Sequence, residues 1–367
     1  MSQSESNNAT NDATKKYKGI QNGWFTETAS MWPGQRFSLA LKVGLKILIF
    51  AYSQHTTTIS SQLDASLQNY SEDSVLFHEK SEFQDILVFR SAQYGKVFVI
   101  DGILQLTERD ECAFHEMMVH LPLFSHSNPK HVLIVGGGDG VCLREVCRHT
   151  EVQQVTLVEI DPMVLQTSKD YLQLVPPELL DGSDPRVEIV HADAAEYLKE
   201  PKNRGRFDVI LADTLDPIGP AESLFEPEFY ETMHDALKPS GIICIQGESF
   251  FIHLNLIRDL LSVCQDLFDF AEYATTMAPS YPCGQIGFIL ARKGDATSCR
   301  NPVRRCKFQS DLKWYSRQMH RAAFVLPHYI EEELSEVDLY DGDFDDELIG
   351  RELDDDDRCF LSGCSIQ

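Results

Sequence analysis

Hydrophobic and polar positions change rhythm near residue 129. Ahead of that point the apolar runs are short and broken by turn formers. Residues 21–40 carry aromatics among extended stretches, and Asp85–Asp101 spells two strands around a turn at Tyr94-Gly95. This pattern predicts a small antiparallel β domain. The polar run Thr107–Glu111 then leads into a helix read as amphipathic over His115–His120 and beyond. From Pro129 onward, continuous apolar strands alternate with helical segments: HVLIVGGGDG, VCLREVCRH, VQQVTLVEID, PMVLQTSKDYL, RVEIVHADAAEYL, FDVILADTLDP and so on to GQIGFILARKG. Such alternation predicts an α/β domain around a mostly parallel, doubly wound sheet that binds ligands at the carboxyl ends of its strands. The organisation expected is a leader over 1–20, the β domain over 21–128 and the α/β domain over 129–293. A C-terminal segment follows over 294–329, and then a tail over 330–367.

Composition adds limits. The 367 residues suffice for two cores, and 43% hydrophobic content is that of an ordinary globular chain. No apolar run reaches the roughly 18 residues a membrane span needs, and the polar start MSQSESNNATNDATKKYKG lacks the apolar centre of a signal peptide. The ten cysteines are scattered without a Cys-x-x-Cys pair, so reduced thiols in a cytoplasmic protein are expected, with no metal. A net charge of −25 argues against nucleic acid or an anionic membrane as partner. Much of that charge lies in Glu331–Asp357, read as a solvated tail, with polyamine or protein binding as the alternative. The stretch Gly44–Ser71 fits neither domain, and reads either as an insertion or as an error in the gene's exon boundaries.

The candidate chemistry sits at the expected strand ends. Gly136-Gly137-Gly138-Asp139-Gly140 follows a buried strand and opens a helix, a context in which glycines let a nucleotide approach the backbone. Val141 stands where a dinucleotide fingerprint has its third glycine, and Asp139 would repel a pyrophosphate; an acid there favours a cationic ligand instead. Glu159, about twenty residues on, is placed to accept both ribose hydroxyls, and Asp193 to accept from an adenine amine. Together these predict a Rossmann-like, methyltransferase-type nucleoside site without phosphate recognition. Asp213 and Asp216 end the fourth strand. Two carboxylates at one strand terminus are costly unless a cation lies between them, and a diamine supplies two. Its amines have pKa values near about 10, so attack by nitrogen requires a base to remove a proton.

The motifs GWFTET, MWPGQ, SEFQDILVF, YGKVFVIDGILQLTERDE, GGGDG with LREV, VEID, GPAESLF, QGES, SYPCGQIGF and MHRAAFVLP occur in that order from about residue 22 to 329. In these the chain resembles the spermidine synthases, within the polyamine aminopropyltransferases. The resemblance implies transfer of an aminopropyl group from decarboxylated S-adenosylmethionine, a co-substrate rather than a cofactor, to putrescine. The products are spermidine and methylthioadenosine. It implies a homodimer as well. By residue it implies donor binding by Gln84, His115, Asp139, Glu159, Asp193 and Ala194, with Asp139 on the donor's ammonium. Asp213 would be the general base, and Trp32, Phe114, Asp213, Asp216, Gln246 and Tyr281 would line the acceptor channel. The chain departs from the family pattern at several of these. Leu215 interrupts the usual Asp-Ser-Ser-Asp, Phe114 replaces a tyrosine, His115 a glutamine, and Val141 and Ala194 glycines. These changes bear on efficiency and on the choice of acceptor more than on the reaction class, so spermine synthase is the alternative, followed by a non-catalytic oligomer-forming relative. A putrescine N-methyltransferase is disfavoured by Asp139, because a methyl donor keeps its carboxylate.

Overall fold

The computed structural model describes residues 20–21, 24–32, 35–42, 48–52, 75–91, 93–214, 224 and 226–335, with the strands before residue 53 described by their backbone. The leader, most of the 44–71 stretch, Leu215, Asp216 and the tail beyond 335 lie outside the described residues.

Two antiparallel sheets come first. One runs in order through β1 (Ile20–Gln21), β2 (Trp24–Trp32), β3 (Gln35–Lys42) and β4 (Leu48–Tyr52). The other runs through β5 (Val75–Lys80), β6 (Asp85–Ser91), β7 (Gly95–Ile100) and β8 (Ile103–Thr107). β4 is the apolar part of the 44–71 stretch, and it pairs with β3 as an edge strand rather than forming a loop.

The α/β domain follows, with α1 (Glu111–Ser125) leading into it. Its sheet contains β9 (His131–Gly136), β10 (Gln154–Val158), β11 (Val187–Val190), β12 (Phe207–Asp213), β13 (Leu237–Gln246), β14 (Phe270–Met277) and β15 (Gln285–Arg292). Their order is β11-β10-β9-β12-β13-β15-β14, with the first five parallel and the last two pairings antiparallel. Val, Ile and Leu fill these strands because both faces are covered, which is why they read as continuous apolar runs. The covering helices are α2 (Val141–Cys147), α3 (Pro162–Thr167), α4 (Pro177–Leu180), α5 (Ala194–Lys199), α6 (Pro227–Ala236) and α7 (Phe250–Leu267).

Two expectations need correction. α1 is not amphipathic: all fifteen of its residues are buried. Its outer side is covered by the C-terminal segment, where the Glu116 carboxylate accepts backbone N–H groups of Lys313, Trp314 and Tyr315 at 2.9, 2.8 and 2.7 Å. Nor does the tail expected over 330–367 begin as free chain, although its first acids do face water. α8 (Arg317–Ala322) is followed by α9 (His328–Ser335), whose Ile330 and Leu334 are buried with Leu261 and Cys264 of α7, leaving Glu331, Glu332 and Glu333 exposed.

Candidate active site

The order of the sheet reverses at β9, which has β10 on one side and β12 on the other. This is the switch point where open α/β sheets form a ligand crevice. Gly136 and Asp213 are register partners at the carboxyl ends of β9 and β12. A Cβ on Gly136, whose φ is +71°, would lie 2.3 Å from the Asp213 carbonyl oxygen. The Gly137 N–H donates to the same oxygen at 2.9 Å. On the other side, a Cβ on Gly138 would come within 2.6 Å of Glu159 Oε2. The glycines thus let one loop pass between two acidic strand ends, and that loop delivers Asp139.

Asp139 Oδ1 accepts from the Val141 N–H at 2.7 Å, and Oδ2 lies 3.6 Å from His115 Nε2. His115 reaches the loop from α1. Its Nδ1 is 2.8 Å from the Glu111 carbonyl oxygen and so carries a hydrogen. Burial alone would lower the imidazole pKa, but the Asp139, Asp213 and Glu111 carboxylates outweigh it and hold it at about 9. Burial likewise opposes ionisation of Asp139, yet the His115 cation, the Val141 N–H and Arg144 keep its pKa below the ordinary value. Asp213 goes the other way: burial first, then the Asp139 charge, push it up to about 6. Its Oδ2 is buried without a hydrogen-bond partner among the described residues. Cys142, in the first turn of α2, lies against the same carboxyl group, and burial raises its thiol pKa well above the usual value. Sequence reasoning passed over Cys142, which looks like one more core position of a short helix.

The remaining expected donor residues surround this centre unevenly. Glu159 is buried, accepts from the Asp161 N–H at 2.9 Å, and is raised to about 7 chiefly by burial. Gln84, between β5 and β6, donates to Asp161 Oδ2 at 3.1 Å, bringing the β domain onto the Glu159 loop. Ala194 is buried at the start of α5. Asp193 is exposed and caps that helix by accepting from the Glu196 N–H at 3.1 Å.

On the acceptor side, Phe114 and Tyr281 stack with ring centroids 5.5 Å apart, and Phe288 lies 5.5 Å from Phe114. The Tyr281 hydroxyl donates to the Gln105 carbonyl at 3.2 Å, and Asp110 holds the adjoining Ser280 through its N–H at 2.8 Å. Gln246 ends β13 in register with Phe288. Trp32 is the last residue of β2, and its side chain, like all of Asp216, lies outside the described residues. The structure therefore brings His115, Asp139, Cys142 and Asp213 together, with Tyr281 close enough for both aspartates to act on its ionisation. No helix among the described residues is long and apolar enough to cross a membrane.

Comparison with known proteins agrees with this layout. Residues 111–301 match the spermine/spermidine synthase domain, and residues 54–108 the spermidine synthase tetramerisation domain, an oligomer-forming unit. The chain is 44% identical over 319 residues to a spermidine synthase of Dictyostelium discoideum, covering 86% of this chain and 99% of that one. It is 40% identical over 350 residues to a spermine synthase of Arabidopsis thaliana, covering 89% and 88%. Among solved structures, spermidine synthase in complex with the transition state analogue AdoDATO superposes with a TM-score of 0.69 at 32% identity, over 87% of this chain and 97% of that one. The protein from Thermotoga maritima does so with a TM-score of 0.67 at 32% identity, over 85% and 94%. The Gly136–Gly140 loop, the acids at three strand ends and the two matching domains place this chain in the spermine/spermidine synthase family.

Proposed function

We propose that the chain transfers the aminopropyl group of decarboxylated S-adenosylmethionine to putrescine, giving spermidine and methylthioadenosine. The observation that carries this reading is the placement of Asp139 and Asp213 on neighbouring strand ends, with opposite pKa shifts. Asp139, held ionised, takes the ammonium of the aminopropyl donor. Asp213 stays basic enough to accept a proton and is still mostly ionised at neutral pH. It orients the attacking amine and removes its proton as the new C–N bond forms and the sulfonium leaves as a neutral thioether. Glu159 receives the ribose hydroxyls, Gln84 and Ala194 border the donor, and Asp193 turns from its cap toward the adenine. Trp32, Phe114, Asp216, Gln246 and Tyr281 line the diamine channel. Positioning supplies the rest, because no covalent intermediate is needed.

We further propose a cytoplasmic homodimer, with the β domain at 21–128, the catalytic domain at 129–293 and the 294–329 segment clamping α1. Spermine synthase remains the second reading, supported by Phe114 and by the Arabidopsis relative. Asp213→Asn tests the mechanism. The variant should lose about 10²–10⁴-fold in kcat with little change in the donor's KM. Turnover within a few-fold of the parent would remove Asp213 as base.

A further inference from the structure

A ring nitrogen of His115, a carboxylate oxygen of Asp213 and Cys142 Sγ all lie within 4.8 Å of one another, with His115 and Cys142 buried and Asp213 half-buried. An imidazole, a thiol and a carboxylate are the three donor types that a borderline-soft divalent ion such as Zn²⁺ accepts. On a tetrahedral zinc shell, with bonds of about 2.0–2.3 Å, such atoms stand roughly 3.3–3.8 Å apart. The trio therefore needs to close by about 1 Å. Two features beyond proximity favour a bound ion. His115 Nδ1 donates to the Glu111 carbonyl at 2.8 Å, the outer contact that typically orients a ligating histidine through its other nitrogen. Asp213 Oδ2, meanwhile, is buried with no hydrogen-bond partner among the described residues, an acceptor left without a donor.

We propose that His115, Cys142 and Asp213 form a three-donor site for Zn²⁺ or a similar divalent ion, and that occupancy shuts the enzyme down. Binding expels the Cys142 thiol proton and one proton of the His115 imidazolium, and leaves a fourth position open to water or an amine. It also ties up the carboxylate assigned as the base, so metal and turnover exclude each other.

Co²⁺ reports the site without turnover. Titrated into the full-length protein, it should give the near-ultraviolet thiolate-to-cobalt band and the intense visible bands of a tetrahedral centre. Zn²⁺ should abolish both. Cys142→Ala and Cys142→Ser should lack the band, and the Zn²⁺ concentration that halves activity should rise at least about tenfold in each, relative to that variant's own uninhibited rate. If the alanine variant fails to fold, the size-conserving serine variant and the parent spectrum still decide. Absence of a thiolate band in the parent would overturn the proposal. So would parent-like Zn²⁺ sensitivity in a folded Cys142 variant, which would put the inhibiting ion elsewhere. Because the cobalt spectrum needs no substrate, it stands or falls separately from the assigned activity.

Discussion

At the scale of single residues, the site depends on two carboxylates of the same kind driven in opposite directions. Asp139 has a cationic neighbour and backbone donation, whereas Asp213 has burial and a like charge. Divergent environments of this sort are how a fold assigns one acid to binding and another to proton transfer. Their positions were legible in the sequence, because glycines after an apolar strand and acids at strand ends both announce a switch-point crevice. The influence of His115 was not, since it comes from a helix that precedes the sheet and meets Asp139 only in the fold. Its imidazolium faces the same carboxylate that the donor's ammonium is to occupy. Replacement by a neutral side chain should relieve that competition. We expect His115→Gln to lower the donor's KM by roughly fivefold, the equivalent of about 1 kcal/mol, with kcat little changed. A rise in KM would instead make His115 a positioning residue for Asp139.

At the scale of elements, α1 is where sequence pattern and structure part. Helical periodicity is informative when one face meets water, and α1 meets none because residues 299–324 lie over it. Ser125 donates to the Cys299 carbonyl at 2.9 Å, Arg304 donates to the Leu123 carbonyl at 2.6 Å, and Glu116 takes three N–H groups. β14 was missed for a related reason. Its sequence, FAEYATTM, mixes polar and apolar positions at the sheet's edge, and only pairing with β15 defines it. Within β15, Gly287 leaves room for the Tyr273 hydroxyl, which donates to the Glu248 carbonyl at 2.8 Å. The Glu116 clamp has a measurable weight. Hydrogen bonds to a charged acceptor contribute about 1.5–3 kcal/mol each at most, and they are not additive. Glu116→Ala should therefore lower unfolding stability by on the order of 3 kcal/mol or more, read as a shift in the denaturant midpoint. Glu116→Gln, which keeps an acceptor, should lose less. A midpoint within about 0.5 kcal/mol of the parent would mean the clamp is incidental.

At the scale of the whole molecule, the mostly parallel core and the antiparallel β part ahead of it followed from apolar runs alternating with helices, whereas the order of strands in the sheet came only from the fold. Acid lability belongs to this scale too. His320 donates through Nε2 to the Cys299 carbonyl at 2.8 Å and lies 2.9 Å from the Tyr315 hydroxyl through Nδ1. Burial lowers its pKa to about 4, and burial first, with Arg292 and Arg304 among the nearby charges, does the same to His126. Both bind protons more readily when the chain is unfolded. Their contribution is thus fully present above the unfolded pKa near 6.5 and is lost as pH falls toward about 4. Glu159 and Asp213, whose pKa values are raised in the fold, act in the opposite sense over the same window, so the histidine contribution is read by difference: His320→Gln should lose less stability than the parent between pH 7 and 4.5, by about 1–3 kcal/mol. Equal losses in parent and variant would contradict it.

The central claim concerns the reaction, and one assay tests it most directly. The purified full-length protein is given decarboxylated S-adenosylmethionine with putrescine or with spermidine as the single acceptor, and the amines formed are separated and identified. The account requires spermidine and methylthioadenosine in equal amounts from putrescine, with far slower turnover of spermidine. Spermine as the main product would move the acceptor assignment, and no product from either amine would contradict the enzyme itself.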